Sequence, residues 1–68
     1  MKLPVVSGKE LIRILRQKGY FVKDQKGSHI HLWHGYLPPI TIPNHKTIAF
    51  GTLLEIMKAA DLRREDFL

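Results

Sequence analysis

The run Lys26-Gly27-Ser28-His29-Ile30-His31-Leu32-Trp33-His34 decides how this chain folds. From Ser28 onward it alternates strictly. Ile30 and Leu32 point to one face of an extended segment, and His29, His31 and Trp33 point to the other. The apolar pair belongs on a core, which leaves two imidazoles and an indole side by side on the wetter face. Upstream, Tyr20-Phe21-Val22-Lys23-Asp24-Gln25 is rich in aromatic and β-branched residues and reads as a second strand. Lys26-Gly27 makes the turn between the two, with Gly27 free to take positive φ. Downstream, Gly35-Tyr36-Leu37-Pro38 turns the chain into a third strand, Pro39-Ile40-Thr41-Ile42-Pro43, limited at both ends by proline. Connections this short predict an antiparallel meander.

The flanks read as helices. Ser7-Gly8-Lys9-Glu10 has the form of a capping box, in which the Ser7 hydroxyl accepts from the Glu10 N–H and the Glu10 carboxylate reaches back to the Ser7 N–H. Stepping 100° per residue gathers Leu11, Ile12, Ile14 and Leu15 on one face and sets Lys9, Arg13 and Arg16 in a stripe on the other. Gly19 is placed to end this helix. After a loop from Asn44 to Gly51, Thr52 reads as an early helical or capping residue. Leu53, Leu54, Ile56, Met57 and Ala60 then share a face, with Glu55 and Lys58 opposite. The tail from Leu62 to Leu68 reads as a short helical turn laying Phe67 or Leu68 against the body. The order helix, strand, strand, strand, helix predicts an α+β fold with a three-stranded antiparallel sheet and both helices on one face, the arrangement of a double-stranded RNA-binding domain.

Sixty-eight residues accommodate one small domain spanning residues 1–68. There is no cysteine, so disulfides, Cys-based zinc sites and thiol nucleophiles are excluded. No apolar run has the length of a signal peptide or a membrane span, and the expectation is a cytoplasmic protein that does not enter a membrane. The charge is uneven. Residues 1–26 hold seven Lys and Arg against two Asp and Glu, and the remainder holds four against four, so the whole net charge of +5 sits in the first segment. Concentrated positive charge suits a polyanion, nucleic acid being the commonest.

His29 follows a tight glycine turn that leaves its ring open to a large substrate, and an imidazole is the natural general base for a ribose 2′-hydroxyl. RNA cleaves itself once that hydroxyl is deprotonated, so the protein must supply only a base, an acid for the departing 5′ oxygen, and cations around the phosphorane. His29 is the candidate base, with His45 and His31 as auxiliary candidates. Lys9, Arg13, Arg16, Lys23, Lys26, Ser28, Trp33 and Lys46 are candidate RNA contacts. The rival reading of His29-x-His31 is a zinc pair, but His34 has the wrong parity to join it and Asp24 is the only nearby acidic candidate, so no metal is expected. No glycine-rich nucleotide loop, nucleophile elbow or glycosidase carboxylate pair occurs, and no cofactor is expected. Trp33 and Tyr36 could stack on bases; for Tyr36 the favoured role is to cover the edge of the core.

Ser7-Gly8-Lys9-Glu10-Leu11 through Gly19-Tyr20, then Lys26-Gly27-Ser28-His29, Ile42-Pro43-Asn44-His45 and Gly51-Thr52-Leu53 together resemble the HicA toxin family of type II toxin–antitoxin systems, along essentially the whole chain. Two features depart from the family pattern: Asp61 stands where members usually place glycine after the last helix, and Pro38-Pro39 stiffens the strand connection. The resemblance implies a double-stranded-RNA-binding-like fold, metal-independent endoribonuclease activity on messenger RNA, and neutralisation by a HicB-like antitoxin that masks the catalytic histidine. It also implies that His29 is that histidine and that His45 occupies the family's second histidine position. The alternative from another class is a non-catalytic module that binds RNA of double-stranded form without cutting it.

Overall fold

The computed structural model describes residues 5–68, and in it Ser7 caps the first helix, α1 (Gly8–Gln17). The Ser7 hydroxyl accepts from the Glu10 N–H at 3.1 Å. The reciprocal half of the expected capping box is replaced, because the Glu10 carboxylate turns outward to Arg13 at 3.8 Å. Leu11, Ile14 and Leu15 are buried and Ile12 is half-buried, while Lys9, Arg13 and Arg16 are exposed, as the helical spacing requires. The helix stops in a Schellman motif. The Tyr20 N–H donates to Leu15 O at 3.0 Å and the Gly19 N–H to Arg16 O at 3.1 Å. Tyr20 is thereby folded into the core rather than starting the strand, and its hydroxyl donates to Pro38 O at 2.8 Å.

The sheet is the predicted meander, in the order β1 (Phe21–Lys26), β2 (His29–Trp33), β3 (Ile40–Pro43), antiparallel throughout. Ile30, Leu32, Ile40 and Ile42 face the helices and join one core with Leu11, Ile14 and Leu15 of α1 and Leu53 and Ile56 of the second helix, so both helices cover the same face. Leu11, Leu15, Leu32 and Ile42 are fully buried. Each such side chain contributes roughly 1.5–3 kcal/mol relative to exposure. β1 lies at the margin of the helix layer and is exposed along most of its length.

The second helix, α2 (Phe50–Ala59), corrects the expected start at Thr52. It begins two residues earlier, behind Ala49, which has extended dihedrals and no side-chain cap bond. Thr52 is therefore inside the helix and caps nothing. At the other end Asp61 takes φ 53°, and the Leu62 N–H closes on Met57 O at 2.8 Å, the same motif that ends α1. Aspartate tolerates this left-handed backbone better than most residues, so the departure from glycine leaves the fold intact. A short 3₁₀ turn (Arg64–Phe67) follows. It lays Phe67, not Leu68, against the core and is held to the end of α1 by Lys18 Nζ and Asp66 Oδ1 at 2.9 Å.

Candidate functional site

The sheet face turned away from the helices is built in rungs. His29 stands between Lys26 of β1 and Pro43 of β3, and His31 stands opposite Thr41 of β3. Phe21 pairs with Trp33 at the far end. Regular pairing would set Lys23 opposite His31. Instead β1 carries a bulge between Val22 and Asp24, which slips the register by one residue and brings Asp24 opposite His31. His31 Nδ1 and Asp24 Oδ1 lie 2.5 Å apart. The displaced Lys23 bends back over the Trp33 ring, its Nζ 4.2 Å from the centroid. That contact stabilises by about 0.5–1 kcal/mol at an exposed site. The hydrogen bond from His31 holds the Asp24 carboxyl below the usual carboxylate range; slight desolvation opposes this, and the charges of His31, Lys23 and Lys26 reinforce it.

His29 is exposed at the first position of β2, directly after the Gly27 turn, where φ is 59°. The end of β3 is drawn to the same tip. The Asn44 N–H donates to Ser28 O at 2.7 Å, and the Gly8 N–H donates to His45 O at 2.9 Å. The second contact requires close approach, since a Cβ on Gly8 would sit 2.5 Å from Pro43 O. The N-terminus of α1, the β1–β2 turn and the segment after β3 are therefore tied together through Gly8, Ser28, Asn44 and His45, and Lys9, Lys26, His29 and Lys46, their neighbours in the chain, are exposed. Among the described residues, Lys9, Arg16, Lys26 and Lys46 have no carboxylate within 4 Å.

Arg13 and Arg16 are placed differently. They lie on the solvent side of α1, and the apolar side of that helix faces the sheet, so a full layer separates them from the histidine face. Tyr36 overturns the expectation that it covers the core edge. It is 87% exposed, and half-buried Leu37 packs against the core instead. Tyr36 sits edge-on to His34, with ring centroids 4.5 Å apart.

His34 has a structural task that its sequence position did not announce. Its Nε2 is 2.9 Å from Lys18 O, and its Nδ1 accepts from the N–H groups of Tyr36 and Leu37 at 3.1 and 3.2 Å. This pattern assigns the Nε2–H tautomer and leaves neither nitrogen for chemistry. Among the described residues no three His, Asp or Glu side chains are grouped as metal ligands. The role of Asp24 as partner to His31, and the exposed Phe21 beside Trp33, were likewise not legible as site features. Both depend on the bulge and on strand pairing.

Residues 8–62 match the family model described as HicA toxin of bacterial toxin–antitoxin. No curated protein and no solved structure matches the chain.

Proposed function

The chain belongs to the HicA toxin family, and from that premise we propose that it is a metal-independent endoribonuclease that cuts messenger RNA with His29 as general base and is neutralised by a HicB-like antitoxin. Membership makes it a toxin of a toxin–antitoxin system with an antitoxin partner. The observation that carries the finer reading is the setting of His29: an exposed imidazole at the start of a strand, in register with Lys26, next to the residue whose backbone ties the segment after β3 to this turn. An imidazole there can take the 2′-hydroxyl proton, and the 2′ oxygen then attacks its own adjacent phosphate. The surrounding cations hold that phosphate and balance the charge of the phosphorane, which is the stabilisation such a step needs. Lys23, Ser28 and Trp33 extend the contact along the sheet, the indole offering a stacking surface to a base. Arg13 and Arg16 reach RNA that passes around the tip onto α1. None of the helices among the described residues is long and apolar enough to cross a membrane, and a cytoplasmic location fits a messenger RNA target.

The antitoxin is assigned to the same face. Phe21 and Trp33 are 52% and 44% exposed and form an apolar surface next to the histidines, so a protein covering them also closes access to His29. Purified protein incubated with RNA in excess EDTA tests the chemistry. The expected result is cleavage at an undiminished rate. Loss of cleavage on chelation, restored by a divalent metal, contradicts the mechanism, and salt-dependent binding with no cleavage at all favours the non-catalytic module.

A further inference from the structure

A base at the 2′-hydroxyl accounts for only half of the proton traffic, because the departing 5′ oxygen also needs a proton. Resting on the ribonuclease reading of this face, we infer that His31 is the general acid that supplies it and that Asp24 is its positioning residue. His31 lies two residues along β2 from His29 on the same open face, so their Cα atoms are about 6.5 Å apart at the usual strand rise. Two imidazoles at that spacing can bracket one phosphate, each within reach of an opposite oxygen.

The two histidines differ in their surroundings. Among the described residues, His29 has no carboxylate within 4 Å, whereas His31 has the Asp24 carboxylate at Nδ1. A hydrogen bond there keeps the Nδ1–H on Asp24, fixes the ring, and leaves Nε2 as the nitrogen that can hand over a proton. The groups around His31 are Lys23, Asp24 and Lys26 on β1, His29 and Trp33 on β2, and uncharged Thr41 on β3. Asp24 is the single anion among them, and the hydrogen bond from His31 with the adjacent lysines keeps it ionised. The bulge makes the arrangement specific, since an unbroken ladder would face His31 with Lys23, a cation that opposes the charged ring. The other histidines are less suited. His34 has both nitrogens engaged in the fold, and among the described residues His45 has no carboxylate partner.

The step balances as follows. His29 accepts the 2′-hydroxyl proton, the 2′ oxygen bonds to phosphorus, the bond from phosphorus to the 5′ oxygen breaks, and Nε2 of protonated His31 gives its proton to that oxygen. The products are a 2′,3′-cyclic phosphate and a 5′-hydroxyl, with His31 left neutral and still donating to Asp24.

The test compares an ordinary RNA with one whose scissile linkage carries sulfur in place of the 5′ oxygen, a leaving group that departs without a proton. On ordinary RNA, His31→Ala is expected to lower kcat/KM about 100-fold and Asp24→Asn roughly 10-fold. On the sulfur-linked RNA both losses are expected to shrink to within about threefold, while the loss in His29→Ala persists. The pH–rate profile of His31→Ala is expected to lose the decline on its alkaline side, which a merely structural role would not move. His31→Ala equal to the parent on ordinary RNA overturns the assignment, and so does a defect that sulfur does not relieve. Asp24→Asn equal to the parent removes the positioning role. A parent protein that cuts neither substrate is the separate outcome that defeats the ribonuclease reading, and this assignment with it.

Discussion

His29→Ala is expected to slow RNA cleavage by at least about 100-fold, the usual contribution of a well-placed general base. The same substitution is expected to leave folding and RNA affinity almost unchanged. The ring is exposed and its removal opens no cavity, and surface changes of this kind usually stay within about 0.5 kcal/mol of the parent stability. Affinity is expected to persist because Lys9, Lys26 and Lys46 remain, and phosphate contacts supply most of the binding to a polyanion. In cells the variant is expected to accumulate without arresting growth. The measurement is the single-turnover rate of the purified variant beside the parent, with thermal unfolding and RNA binding recorded on the same samples. A variant that degrades transcripts at the parental rate contradicts the role of His29. A variant that neither folds nor binds shows that the residue acts through the structure.

The second large effect is on stability. Gly19→Ala is expected to destabilise the domain by about 3 kcal/mol through two additive causes. Gly19 has φ 99°, deep in the half of backbone space that L-residues avoid. Occupying that half costs roughly 1–2 kcal/mol for an alanine. The new Cβ would also lie 2.9 Å from His34 Nε2, the atom that reaches Lys18 O. The ring cannot retreat freely, since Nδ1 is held by the N–H groups of Tyr36 and Leu37 and the Tyr20 ring lies 4.8 Å away. Overpacking of this kind costs about 1–3 kcal/mol. A core of this size supplies only roughly 3–5 kcal/mol in all, so the variant is expected to be near its unfolding transition at room temperature. Thermal unfolding is expected to shift down by about 10–20 °C. A shift of less than about 3 °C would show that neither the backbone strain nor the contact with His34 has the stated size.

The two predictions draw on parts of the molecule that were unequally legible in the sequence. The serine cap and glycine stop of α1, the alternation through β2 and the short connections of the meander act locally, and local rules placed them within a residue or two. The parity of Ile30 and Leu32 against His29, His31 and Trp33 fixed which side chains share the open face. Thr52 is an early helical residue, one of the two roles its type suggests, and α2 starts two residues before it because Ala49, with no capping side chain, marks no boundary in the sequence. In the sequence Asp24 reads only as a possible metal ligand. Its partnership with His31 depends on a bulge, and a bulge is a property of two paired strands that neither strand's pattern announces. The same holds for His34, whose partners Lys18, Tyr36 and Leu37 lie on both sides of it in the chain. Helical spacing set Arg13 and Arg16 opposite the apolar face of α1, but only the packing of that face onto the sheet shows that a layer separates them from the histidines.

The central claim is that the substrate's own 2′-hydroxyl, deprotonated by His29, is the nucleophile. Its most direct test is the cleavage pattern of the parent protein on an RNA carrying a single 2′-deoxynucleotide at a mapped cleavage site. The account predicts that cutting at that linkage disappears while cutting at unmodified sites continues at the same rate. Cleavage at the deoxy linkage with undiminished rate would mean that water or another group attacks the phosphate, and would contradict the account.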